Sequence, residues 1–375
     1  MIINNAKVYR NGHFESASIE FDSHIRSFSP GEGMDACGAY IIPGLIDVHT
    51  HGAMGIDASD CTAEQIHHLA QFYSDNGVTS FCFTTLTVPA DELRGAMKNI
   101  RAYERFGGEA KCAGVHLEGP FVSRGKCGAQ NPDNILKPDI ALFNELNELS
   151  GGMVRLITVA PEVEGALDFI REASKVCTVS LGHSTADYDQ AMAGFEAGAT
   201  HVTHLFNGME PFHHRKPGLV GAALTAGANV ELICDGVHIH PAMIVAVHKM
   251  FGDRLIIVSD SLRCAGLCDG RYNLGGLPMI VRNGRATLLD GTIAGSSSNL
   301  LQELRNVVSY GVPLEAAVKA MTETPAKNIG VFDSIGSLET GKCADFLVLN
   351  KDLKLMATFI DGKLVNGTTD FESVK

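Results

Sequence analysis

Apolar runs recur along the middle of this chain at fairly even intervals. "GLIDVHTH", "VTSFCFTT", "AGVHLEGPF", "VRLITVAPE", "CTVSLGHS", "HVTHLFN", "VELICDGVH" and "RLIIVSDS" make eight. Each is too short for a helix and rich in β-branched residues, so each predicts a buried strand. Segments with helical spacing separate them, for example "AEQIHHLAQFYSDNG", "DELRGAMKNIRAYERFG" and "ALDFIREASK". Eight strand-helix units predict an α/β fold, a (β/α)8 TIM-like barrel over residues 44–344. The two chain ends have another texture. Short alternating pieces with Asn-Gly or Asp-Gly turns ("MIINNAKVYRNGHF", "ADFLVLN", "LMATFIDGKLV") predict a small β-sandwich domain built from residues 1–43 and 345–375. After the eighth run, "LPMIVRNGRATLLDG" predicts a β-hairpin insertion at about 273–293, turning at Asn283-Gly284.

Six of the eight runs begin apolar and end in groups that bind metals or move protons. The first ends in His49 and His51, which alternate onto one strand face. The third ends in His116 and Glu118, the fifth in His183, the sixth in His204 and Asn207, the seventh in Asp235 and His238, and the eighth in Asp260. Barrel active sites lie at the C-terminal mouth of the strands. Burying so many unpaired polar groups at one end of a core is costly. The strand mouths offer Glu118 no lysine or arginine, whereas a divalent cation neutralises it and uses the histidines. Glu118, His183 and His204 therefore form a candidate metal site of the open kind used by zinc or iron. His49 and His51 complete a candidate second site near Asp260, and His116 suits a supporting hydrogen bond. Asp260 is placed to take a proton from a metal-activated water and return it to a leaving group.

Composition narrows the partners. Hydrophobic residues make up 45% of the 375 residues, enough for a large core, and the formal net charge is −13. No basic run or long apolar stretch is present, which argues against nucleic-acid and membrane partners. The first residues lack a secretory-signal pattern, and ten scattered cysteines without a C-x-x-C pair suit free thiols, so a cytoplasmic location is expected. Against this acidic background "HHRKP" stands out after the sixth run, with Arg215 suited to a phosphate and with Asn207 and Gly208 nearby for a sugar or phosphate oxygen.

"PGLIDVHTHG", "HLEGPF", "LGHS", "THLFN", "DGVH", the strand-eight aspartate and "GTIAGS" occur in that order. The set resembles the N-acetylglucosamine-6-phosphate deacetylase family of the amidohydrolase superfamily. The resemblance implies removal of the acetyl group from a phosphosugar by a metal-activated water, with Asp260 as base and then acid. It implies one or two divalent metal ions per subunit, zinc or iron foremost and manganese or cobalt as alternatives, and a homodimer in which Arg215 reaches a neighbour's site. It puts Ala129, Gln130, Asn207, Gly208, Arg215, Asp235, His238 and Ile293-Ala294-Gly295 at substrate-contacting positions. Gln130 departs from the histidine found in many members, and glutamine donates a hydrogen bond but no charge. The galactosamine epimer is an alternative substrate. A cyclic-amide hydrolase on the same scaffold usually needs a strand-four lysine, which "VRLITVAPE" lacks. A non-catalytic relative would have lost ligands that this chain retains.

Overall fold

The computed structural model describes residues 1–371; residues 372–375, which the expected terminal unit includes, lie outside the described residues. The eight apolar runs form eight strands: β1 (Leu45–Thr50), β2 (Val78–Thr85), β3 (Lys111–Glu118), β4 (Val154–Val159), β5 (Thr178–Leu181), β6 (His201–Val202), β7 (Asn229–Ile233) and β8 (Leu255–Val258). They pair in sequence order, every pair parallel. A helix follows each: α1 (Ala63–Asp75), α2 (Ala90–Ala102), α3 (Ile140–Leu149), α4 (Ala166–Ala173), α5 (Tyr188–Glu196), α6 (Gly218–Ala226), α7 (Pro241–Phe251) and α8 (Leu300–Ser309). Helices on the outside and side chains within explain why β2 is buried at all eight positions.

Local sequence sets the helix starts. Thr62 accepts from the Gln65 backbone N–H, and the Gln65 side chain accepts from the Thr62 N–H, a reciprocal capping box before α1. Ile66, Leu69, Ala70 and Tyr73 then fall on one buried face. Asp187 and Gln190 repeat the device before α5.

The seam between β8 and β1 matters most for the site. The Asp260 N–H donates to the His49 carbonyl at 2.9 Å, and the His51 N–H donates to the Ser261 carbonyl at 2.8 Å. These bonds draw the first and last strands of the barrel together at their C-terminal ends.

The chain ends form one eight-stranded sheet. Its order is Lys363–Gly367, Leu355–Ile360, Phe346–Leu349, Tyr40–Pro43, Ile2–Arg10, His13–Phe21 and Ile25–Ser27, with Met34–Asp35 also on Ile2–Arg10. Two strands separate Phe21 from Phe346, roughly 14 Å in a flat sheet. Their rings nevertheless lie 4.9 Å apart, and Phe21 meets Phe359 at 5.4 Å. The sheet therefore curls over its own apolar core and reaches sandwich-like packing without a second sheet. Lys111 at the start of β3 ties it to the barrel, 2.7 Å from Asp345 and 2.6 Å from Asp361.

The hairpin at Asn283-Gly284 is present, as Leu277–Arg282 paired with Arg285–Leu288. Both turn residues have positive φ, 51° and 72°, as a tight hairpin turn requires. A further strand, Gly270–Leu274, joins its other edge. The loop that follows this small sheet, 292–295, closes one side of the barrel mouth.

Candidate active site and metal centre

His183, His204 and Asp260 each sit two residues past the end of a strand, β5, β6 and β8. All three have left-handed backbone conformations, φ 45°, 27° and 46°. Such conformations cost non-glycine residues about 1–3 kcal/mol each and cluster where side chains must be aimed. Here they turn the side chains inward over the barrel. Gly295 accommodates the result: a Cβ there would lie 2.5 Å from the Asp260 carbonyl oxygen.

The aimed groups meet at Glu118, at the end of β3. Its Oε1 lies 2.9 Å from His204 Nε2, 3.0 Å from His183 Nε2 and 3.4 Å from His49 Nε2. Its Oε2 lies 3.3 Å from His51 Nε2. Asp260 Oδ1 lies 3.2 Å from His51 Nε2 and 3.5 Å from His49 Nε2. Two three-residue groups result, Glu118/His183/His204 and His49/His51/Asp260, each with donor atoms within 4.8 Å of one another.

The opposite ring nitrogens explain why these atoms suit a cation. His183 Nδ1 donates to the Lys126 carbonyl at 2.9 Å, and His51 Nδ1 donates to the Thr84 carbonyl at 3.0 Å. His49 Nδ1 donates to Glu231 Oε2 at 2.8 Å. In a neutral ring the Nε2 atoms then carry inward lone pairs. His183 and His204 bring Nε2 atoms within 3.1 Å, and His49 and His51 within 3.3 Å. Such contacts repel unless protons or metal cations lie between them, and the donor set of imidazoles and carboxylates fits divalent cations.

The electrostatics agree. Burial works against a charged His49, but Glu231, Asp260 and Glu118 outweigh it and raise the imidazole to about 9. Burial opposes a charged His183 as well, and Glu118 raises it. Burial also opposes the charged carboxylate of Glu118, yet His49 and His183 hold it well below the usual range. Asp260 is held down by His49 and His51 against the same burial. The cluster is poised to hold positive charge.

Above it opens a cavity of about 190 Å³. His51, Glu118, His183, His204 and Asp260 form its floor, and Ala129, Gln130, Asn207, Gly208, His238 and Ile293-Ala294-Gly295 line its sides with Leu86, Leu262 and Leu274. Gly208 packs on His183: a Cβ there would come within 2.9 Å of Nδ1.

Residues 40–365 match the Amidohydrolase family. The chain belongs to that family. It is 36% identical over 330 residues to N-acetylglucosamine-6-phosphate deacetylase of Vibrio furnissii, covering 87% of this chain and 82% of the relative. It is also 36% identical to N-acetylgalactosamine-6-phosphate deacetylase of Escherichia coli O157:H7, covering 87% of this chain and 88% of the relative. Among solved structures it superposes with a TM-score of 0.91 and 30% identity on N-acetyl-D-glucosamine-6-phosphate deacetylase from Mycobacterium smegmatis. That structure is an aspartate-to-alanine variant in complex with N-acetyl-D-glucosamine-6-phosphate, matched over 97% of this chain and 99% of the other.

Not every expected site residue of this amidohydrolase faces the cavity. His49 lies fully buried behind His51. Gln130 lines the wall, but its amide is engaged: Nε2 donates to Glu118 Oε2 at 2.7 Å, and Oε1 accepts from the Thr87 N–H at 2.6 Å. In this structure it orients Glu118. Asp235 points at His238, accepting from Nδ1 at 2.8 Å and from the His238 N–H at 2.9 Å. His238 Nε2 in turn donates to the Ala294 carbonyl at 2.8 Å, fastening the 292–295 loop. Arg215 is exposed, 2.7 Å from His214, on a loop whose groove is lined by Asp187, Asp189 and Glu210. Among the described residues, no lysine or arginine lines the cavity itself. His116 stays below the cluster and hydrogen-bonds Thr158 Oγ1 at 2.8 Å. Glu231 went unrecognised in the sequence. Its signal was an acid inside the apolar run "VELI", where a buried charge demands a partner.

Proposed function

We propose that this amidohydrolase removes the acetyl group from N-acetyl-D-glucosamine 6-phosphate, giving glucosamine 6-phosphate and acetate. The observation that carries the reading is the convergence of four histidine Nε2 atoms and two carboxylates on the floor of the barrel-mouth cavity. The 36% identity to deacetylases of such sugars supports it. Glu118, His183 and His204 hold one divalent cation, and His49, His51 and Asp260 hold a second. Zinc or iron suits this donor set best, with manganese or cobalt as alternatives. When bound, such an ion acidifies water and polarises the amide carbonyl.

The chain's own residues do the rest. The Asp260 carboxylate accepts a proton from the attacking water and delivers it to the amide nitrogen as the C–N bond breaks. Amide hydrolysis needs that delivery because an unprotonated amine is a poor leaving group. Gln130 holds Glu118 in place. The backbone of Ala129 and Gly208, the side chain of Asn207 and the 293–295 loop fastened by His238 and Asp235 position the sugar. Among the described residues of a single chain, the phosphate finds no cationic side chain lining the cavity. Arg215 therefore serves the site of a second copy, which makes the working unit a homodimer. Ten cysteines without a C-x-x-C pair suit a reducing, cytoplasmic setting, and among the described residues no helix is long and apolar enough to cross a membrane. We assign residues 44–344 to the barrel unit and the two chain ends to the terminal one.

The galactosamine epimer is the second reading, because a relative acting on it is equally similar. The test is amine release from N-acetylglucosamine 6-phosphate, its galactosamine epimer and unphosphorylated N-acetylglucosamine. Turnover of the phosphorylated glucosamine sugar at least tenfold faster than of either other compound supports the proposal. Faster turnover of the epimer replaces it with the second reading, and no turnover of either phosphorylated sugar overturns both.

A further inference from the structure

Beneath the cation cluster lies a layer of polar side chains that the proposed reaction leaves unused. His116 on β3 donates or accepts at Thr158 on β4 (2.8 Å), and Thr158 meets Thr203 at 2.7 Å. Thr203 meets Ser180 on β5 at 2.5 Å, and Ser180 meets His201 Nδ1 on β6 at 3.0 Å. His201 Nε2 faces Glu231 Oε1 on β7 across 3.8 Å. The layer thus runs around the barrel interior and ends on a carboxylate that is 0% exposed.

A buried carboxylate is costly to keep unless it is matched by donors. Glu231 uses one oxygen twice. Oε2 accepts from His49 Nδ1 at 2.8 Å and from the backbone N–H of His204 at 3.1 Å. His49 belongs to one cation group and His204 to the other. The second bond also braces the left-handed backbone that aims His204. A carboxylate on the far nitrogen of a metal-binding imidazole fixes its tautomer and makes the near nitrogen a better ligand, by a factor of about 10–100 in metal affinity.

We propose that Glu231 is a positioning residue that readies His49 Nε2 for the second cation and joins the two cation groups through one oxygen. The inference rests on the metal-dependent reading above. Glu231→Gln keeps the side-chain size and one acceptor oxygen but removes the charge. The test is titration of chelator-treated wild-type and variant protein with zinc alone, followed by calorimetry and by zinc content after gel filtration. Wild-type protein should take up two equivalents per chain. In Glu231→Gln the first equivalent should bind within about threefold of wild type, and the second about 10–100-fold more weakly. Glu231→Asp restores the charge one methylene further back and should recover part of the second equivalent. It also carries the test if the glutamine variant does not fold. Two equivalents bound at wild-type affinity by the variants would overturn the inference, as would a wild-type chain that binds only one. A wild-type chain that binds no divalent metal overturns the metal-dependent reading itself and this inference with it.

Discussion

Replacing Asp260 with asparagine separates its chemistry from its shape. The position has φ 46°, and asparagine is among the few side chains that enter the left-handed region at modest cost. The neighbouring Gly295 accommodates the same outline, so folding should survive. What disappears is the acceptor for a proton, 3.2 Å from His51 Nε2 and 3.5 Å from His49 Nε2, and with it the charged ligand that Asp260 offers the proposed second cation. An amide cannot take the proton from water or return it to nitrogen. Loss of one positioned acid–base group costs about 10²- to 10⁴-fold, equivalent to about 3–5 kcal/mol of barrel-mouth catalysis at 1.36 kcal/mol per decade. Because the substrate is held by other residues, the fall should lie in kcat and leave KM within about threefold. Amine release measured at saturating and limiting substrate reads both, with zinc content confirming that the Glu118 group still binds. A variant whose kcat stays within tenfold of wild type would refute the assignment of Asp260 as base and acid.

Four other outcomes follow from the same geometry. His49→Gln/His51→Asn should lose one equivalent of metal per chain and at least tenfold in rate; unchanged metal content and rate would remove the second cation from the account. Arg215→Ala should raise KM for the phosphorylated sugar at least tenfold while leaving the slow turnover of unphosphorylated sugar unchanged, and an equal effect on both would place Arg215 outside phosphate binding. Gln130→Ala strips a donor from Glu118 and leaves the buried Thr87 N–H unpaired. It should lower unfolding free energy by about 2–4 kcal/mol, and a denaturant midpoint equal to wild type would contradict that role. In chelator-treated protein, His49 is raised to about 9, with burial opposing and Glu231 leading the carboxylates that raise it. A raised pKa means stability that is full below about pH 6.5 and lost as pH climbs through about 9. The metal-free protein should therefore melt at lower temperature at pH 9 than at pH 6.5, and a melting temperature that rises over that interval would contradict the assignment.

The barrel and the residues gathered at its mouth are legible because their signals are local. Each strand is a short apolar run, and each ligand stands at the end of one, where barrel geometry brings distant ends together. Glu118 stands out as a candidate metal ligand because the runs place no cationic side chain near it in the strand mouths. Glu231 does not, because its partner His49 lies 182 residues away and only the closed barrel makes them neighbours. Gln130 is legible by its place in a motif, whereas the hydrogen bonds of its amide with Glu118 on β3 and with the Thr87 N–H after β2 appear only in the fold. The terminal unit reads as a β-sandwich in the sequence but is one curled sheet in the structure, because Phe21 and Phe346, whose contact reveals the curl, come from opposite ends of the chain. Asp235 and Arg215 carry charges that suit a substrate, yet turns direct one at His238 and the other into solvent.

Metal-dependent deacetylation at the Glu118 cluster can be tested by removing and restoring the metal. Protein is stripped with chelator and assayed for amine release from N-acetylglucosamine 6-phosphate before and after adding zinc, iron or manganese. Stripping should remove at least about 99% of the rate, which should return with at least one of the metals in step with metal bound per chain. Full activity in protein shown to contain no metal would contradict it.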